Sequence, residues 1–98
     1  MYKNKYEHYQ FEIYNLQEAV EADFQRARKE FLEAEKSFDD FIYSNAEEIM
    51  LPDDYDRTYD EMLHRFEAIR KTYEMLEEAQ EKLRKLSTVV DDLYWLNY

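Results

Sequence analysis

An all-α fold, an antiparallel two-helix hairpin of coiled-coil character that completes a helical bundle with a partner, is predicted by three features of the sequence. Glycine is absent and proline occurs once, at Pro52, so the residues that normally make tight turns are missing and long helix is what remains. Apolar residues recur at steps of three and four in two long stretches, the spacing of one face of a helix. Between the stretches lies one interruption, around Pro52. The 98 residues fit a single helical-hairpin domain, 1–98.

The first stripe runs Tyr2, Tyr6, Tyr9, Ile13, Leu16, Val20, Phe24, Ala27, Phe31, Ala34, Phe38 and Phe41, predicting helix 1 over about 3–43. Its two consecutive steps of four across Leu16, Val20 and Phe24 amount to a stutter, which relaxes the supercoil without ending the helix. The bend covers about 44–53. Within it Ser44 and Glu47 have capping-box spacing and predict a short extra turn through Met50. Pro52 disfavours helix at Leu51 and suits the first turn of a new helix, where Asp53, Asp54 and Asp56 complement the helix dipole.

Helix 2, about 54–95, carries the second stripe: Tyr55, Tyr59, Met62, Phe66, Ile69, Tyr73, Leu76, Ala79, Leu83, Leu86, Val90 and Leu93. A bend near residue 50 makes the helices antiparallel, so facing residues have numbers adding to about 100: Phe41 with Tyr59, Phe31 with Ile69, Tyr6 with Leu93. The β-branched run Thr88, Val89, Val90 and the capping spacing of Thr88 with Asp91 mark the last dozen residues as a candidate place for a kink or fraying.

Composition narrows the function classes. With 24 acidic and 13 basic side chains and a net charge of -11, the chain repels nucleic acid phosphates and anionic membrane surfaces. No stretch has the length and apolarity to span a bilayer, and Met1 to Gln10 lack the apolar run of a cleaved signal peptide. A cytoplasmic protein is expected, or one exported by a route that needs no such peptide.

Catalytic chemistry is not expected. His8 and His64 are far apart in an antiparallel pair, cysteine is absent, and Ser37, Ser44 and Ser87 have no nearby base. Only Glu61 with His64 has the Glu-x-x-His spacing that a di-iron bundle needs twice. The sequence therefore implies a non-enzyme without metal or cofactor.

A protein partner is expected because one apolar seam hides too little surface to offset the entropy of ordering both helices. Phe11, Tyr14, Leu32, Leu63, Met75 and Trp95 fall off the seam and are candidate partner-binding residues. Antiparallel pairing also gathers Tyr2, Tyr6, Tyr9, Phe11, Tyr14, Tyr94, Trp95 and Tyr98 at the open end, where Tyr94 joins the candidate set. An alternative keeps these rings as a plug of the bundle end with their hydroxyls in water.

Two long antiparallel helices, the acidic balance and the ending Asp91, Asp92, Leu93, Tyr94, Trp95 resemble the small α-helical partners of LXG-type toxins, within the WXG-like hairpin proteins of the bacterial type VII secretion system. The bend reads Met50, Leu51, Pro52, Asp53 in place of the Trp-x-Gly of the central WXG group. The resemblance implies a targeting or chaperone partner that binds the toxin's helical N-terminal domain, beside a second small helical protein. It also implies an export signal, an aromatic residue followed four positions later by an acid. Tyr14 with Glu18, Phe31 with Glu35, Tyr43 with Glu47 and Tyr73 with Glu77 have that spacing. Tyr43 with Glu47 is the candidate because the bend offers exposure. Two other readings stand beside this one: an acidic DNA-mimic inhibitor of phage type, and a structural homodimer forming a four-helix bundle.

Overall fold

The computed structural model describes residues 4–98; Tyr2, the first residue of the first stripe, lies outside them. Three helices are arranged in order along the chain: α1, Lys5–Ile42; α2, Ala46–Ile49; and α3, Pro52–Leu96. Among the described residues there is no strand. The contacts divide the chain into two units, each holding a piece of α1 and a piece of α3. One comprises the residues up to Gln25 together with Met75–Tyr98, and the other is Arg26–Glu74.

Local chemistry accounts for the helix ends. Asn4 starts α1, its side-chain carbonyl accepting the N–H groups of Tyr6 at 2.8 Å and Glu7 at 3.2 Å, which satisfies two donors that have no partner inside the helix. At the other end the Ser44 hydroxyl donates to the Phe41 carbonyl at 2.7 Å and accepts the Ala46 N–H at 3.2 Å. The expected capping box from Ser44 to Glu47 is not formed. The residue that precedes α2 is Asn45, because Ser44 is engaged in closing α1. Met50 is extended, with ψ of 151°. Pro52 then opens α3, and the Tyr55 N–H bonds to the Leu51 carbonyl at 2.9 Å, the place where proline's missing N–H costs nothing.

α3 runs past Thr88, the candidate place for a kink or fraying, and continues as helix to Leu96. Thr88 bonds back to the Arg84 carbonyl at 3.1 Å, so its hydroxyl is satisfied within the helix. Val90 is buried, and that packing outweighs the weak helix preference of the β-branched run.

In the unit Arg26–Glu74, α1 and α3 are joined by interleaved rings. Phe31 stacks on Phe66 at 5.5 Å and on Tyr73 at 5.0 Å, and Phe38 lies 5.5 Å from Tyr59 and 5.9 Å from Phe66. Each phenylalanine thus sits between two rings one turn on either side of the position facing it, the packing of a knob in a hole. Phe31 accordingly straddles the level of Ile69, as the register predicts. Nearer the bend, Phe41 stacks on Tyr55 at 5.2 Å, one turn earlier than the expected Tyr59, because Phe38 already occupies the Tyr59 level.

The other unit is joined differently. The Gln10 side chain donates to the Asp91 carboxylate at 2.7 Å, and Gln80 donates to Glu21, which also accepts from Gln25 at 2.8 Å. Both cross-helix pairs have numbers adding to about 100, so the antiparallel register holds here too. Ile13 and Val90 supply the buried apolar contacts of this unit, and Ala27 is buried in its neighbour. Leu16 and Leu86, both expected on the seam, are instead 53% and 47% exposed, and Tyr9 is 44% exposed. Gln17 and Ser87, one residue further along each helix, are half-buried in their place. With Gln17 and Ser87 as seam residues the buried and half-buried positions step by four and three without a break, Ile13, Gln17, Val20, Phe24 and Ala27 on α1 and Leu83, Ser87, Val90 and Tyr94 on α3, so the stutter expected across Leu16 is absent from the seam.

Candidate interaction surface

Ile13, Ala27 and Val90 are the only buried side chains among the described residues, while fifteen large apolar or aromatic ones are exposed. Among the residues expected to meet a partner, Phe11, Tyr14, Leu32, Met75 and Trp95 are exposed. Leu63 and Tyr94 are half-buried. For Leu63 this differs from the expectation of a side chain largely in water, since it follows Met62 on the edge of the seam.

The aromatic residues at the open end form contacts within each helix. Tyr6 meets Tyr9 edge-on at 6.1 Å, and Tyr94, Trp95 and Tyr98 form a triad with centroids 5.1 to 5.6 Å apart. Trp95 and Tyr98 remain 69% and 68% exposed, so this cluster presents ring surface outward. Tyrosine and tryptophan suit such a position because each pairs an apolar body with a polar tip. Tyr2 of the expected cluster lies outside the described residues.

The candidate export pair is divided between elements. Tyr43 follows the end of α1 and is 86% exposed, whereas Glu47 belongs to α2. Spacing by four places two residues on one helix face only when the helix is continuous between them. Tyr14 and Glu18 meet that condition. The Tyr14 hydroxyl donates to the Glu18 carboxylate at 2.9 Å, while Phe31 and Tyr73 are occupied in the ring stack.

The Glu18 carboxylate, through that hydrogen bond and its charge, holds the Tyr14 phenol above the ordinary tyrosine range. A proton held more tightly in the folded chain contributes stability below that range, and the contribution is lost as pH rises through the raised midpoint. Glu18→Gln is expected to return the Tyr14 titration, followed by phenolate absorbance or NMR, toward the ordinary range. An unchanged midpoint contradicts this assignment.

Charge is organised on the same small scale. Arg84 lies 2.6 Å from Glu81 and Lys85 lies 3.9 Å from it, so Arg84 holds the Glu81 carboxyl below the usual carboxylate range. His8 pairs with Glu12 at 2.9 Å. Exposed pairs of this kind contribute little to stability. Among the described residues no group of three potential ligands could hold a metal ion, and no helix is long and apolar enough to cross a membrane. A surface groove of the unit Arg26–Glu74 runs between Ala34 and Ser37 of α1 and Met62 and Arg65 of α3, and its lining includes neither histidine nor cysteine.

The surface offers scattered rings and aliphatic side chains set among carboxylates, and aromatic side chains are enriched in protein interfaces. No protein-family model, no curated protein and no solved structure matches the chain.

Proposed function

We propose that the chain is a non-catalytic protein-binding module, a targeting or chaperone partner that binds the helical N-terminal domain of a type VII secreted toxin. The observation that carries this reading is the exposed apolar surface: among the described residues only Ile13, Ala27 and Val90 are buried, and a protein interface is what commonly covers an exposed apolar patch. Fifteen exposed large apolar and aromatic side chains supply the kind of contact that such an interface uses. The resemblance to the small partners of LXG toxins supplies the class of partner, a helical domain that completes a bundle with the two long helices.

Co-expression with the helical N-terminal domain of a toxin encoded beside this chain tests the reading. The expected result is a stable stoichiometric complex that survives gel filtration, with low yield or poor stability of the chain expressed alone. Two proteins that elute apart, each stable by itself, contradict it.

A further inference from the structure

The unit formed by the residues up to Gln25 and by Met75–Tyr98 has two unlike sides. On a helix, a residue one after or three before a seam residue is turned to one side of it, and a residue one before, three after or four before is turned to the other. Relative to Ile13, Val20, Leu83 and Val90, the bridging residues Gln10, Glu21, Gln80 and Asp91 all belong to the first group. Their hydrogen bonds, Gln10 to Asp91 and Gln80 to Glu21, join the helices along that side. Tyr9, Leu16, Leu86, Val89 and Leu93 all belong to the second group.

The bridges confirm that equal rotation on the two antiparallel helices leads to the same side of the pair, so these five residues line the opposite side together. Tyr9, Leu16, Leu86 and Val89 are 44% to 54% exposed there. Polar bonds close one side of the unit, and a strip of aliphatic and aromatic surface is left open on the other.

We infer that this strip, Tyr9, Leu16, Leu86 and Val89 backed by Leu93, is the docking face of the chain, and that its occupant is an amphipathic helix of another protein whose apolar stripe is flanked by lysine and arginine. The inference rests on the proposed function and adds to it the face and the partner's chemistry. Helix-in-groove docking lays the apolar face of one helix against an apolar surface of its partner, and Tyr9 and Leu16 of α1 with Leu86, Val89 and Leu93 of α3 provide such a surface. Charge selects the occupant. This unit carries ten acidic and five basic side chains; of the basic ones Lys82, one before Leu83, lies on the strip's side, and Arg84 and Lys85 are engaged by Glu81. A second copy would bring the same negative charge against the strip, whereas a basic-flanked helix would be attracted to it.

The test titrates the full chain with two synthetic amphipathic peptides of about 18 residues, five helical turns, with the same leucine stripe and either lysine or glutamate elsewhere. The lysine peptide is expected to bind, to shift the methyl signals of Leu16, Leu86, Val89 and Leu93, and to leave the side-chain amide signals of Gln10 and Gln80 in place. The glutamate peptide is expected to bind about tenfold or more weakly. Leu16→Glu with Leu86→Glu is expected to weaken the lysine peptide by about tenfold or more, and Trp95→Ser to change it by less than about twofold. Val89→Asp, at an exposed position, serves as a second variant should the double one fold poorly.

Shifts confined to the Gln10 and Gln80 side, equal binding of the two peptides, or no binding of either overturn the inference. So does a dimer in sedimentation that Val89→Asp dissociates, which would make a second copy the occupant. A toxin-domain complex that survives Val89→Asp removes this face while leaving the proposed function standing. Failure of the unaltered chain to form that complex removes the function instead.

Discussion

Replacing Phe66 with alanine is expected to lower the stability of the chain by about 2 kcal/mol and its melting temperature by about 10 °C. Phe66 is the ring that both Phe31 and Phe38 contact, at 5.5 Å and 5.9 Å, so its loss opens two stacks at once. Complete burial of a phenylalanine would make the cost about 3–5 kcal/mol, but Phe66 is only half-buried, which reduces the transfer part. The remainder comes from ring pairs, each contributing about 0.5–1.5 kcal/mol beyond area. Leu32→Ala, at a position 51% exposed, is the control and is expected to change stability by less than about 0.5 kcal/mol. Equal losses at Phe66 and Leu32, read from thermal melts by circular dichroism, would contradict the ring ladder as the element joining the helices in that unit.

Val90→Asp is expected to have a larger effect still. Val90 is 6% exposed, and an unpaired carboxylate placed there costs on the order of 3 kcal/mol or more, a large part of the stability of an ordinary domain. The melt of the chain should be lost or displaced far downward. Val89→Asp, one residue earlier and 54% exposed, should leave the melt within about 0.5 kcal/mol of the unaltered chain. The neighbouring positions thus separate folding from docking: Val90 faces the other helix, and Val89 faces the strip inferred to receive a partner.

The two long helices and their antiparallel register were legible in the sequence because steps of three and four persist with little interruption from Tyr6 to Phe41 and from Tyr55 to Leu93. Pro52 was equally plain, since only the first turn of a helix accommodates it without loss. The departures occurred where several side chains compete for one place. Ser44 has the spacing of a cap, but the end of α1 reaches its hydroxyl first. Asn4, with Glu7 three residues later, has capping spacing as well, and it starts α1 by accepting two N–H groups.

The candidate surface was less legible than the fold. Apolar residues on a seam and apolar residues beside it obey the same spacing, so Leu16 and Leu86 read as seam until Gln17 and Ser87 are seen to occupy those levels. The signal that could have separated them was the break in step at Leu16: reading the polar Gln17 and Ser87 as seam keeps the four-three spacing unbroken, and Gln10, Glu21, Gln80 and Asp91 stand at facing heights beside it. The rings at the open end drew the sequence reading toward an aromatic interface. There Tyr6 meets Tyr9 and Tyr94 meets Trp95 and Tyr98 along their own helices, and rings also cross between helices in the unit Arg26–Glu74.

Fifteen large apolar and aromatic side chains stand exposed among the described residues beside three buried ones, and the proposed function has another protein cover them. Equilibrium unfolding of the isolated chain over a wide range of its own concentration, repeated with the toxin domain added, tests it most directly. The predicted result is a weak transition for the chain alone and a marked rise in stability that tracks the concentration of the added domain, as linkage requires when only the folded state binds. A sharp, strongly cooperative transition of the lone chain, unmoved by its own concentration or by the added domain, would contradict it.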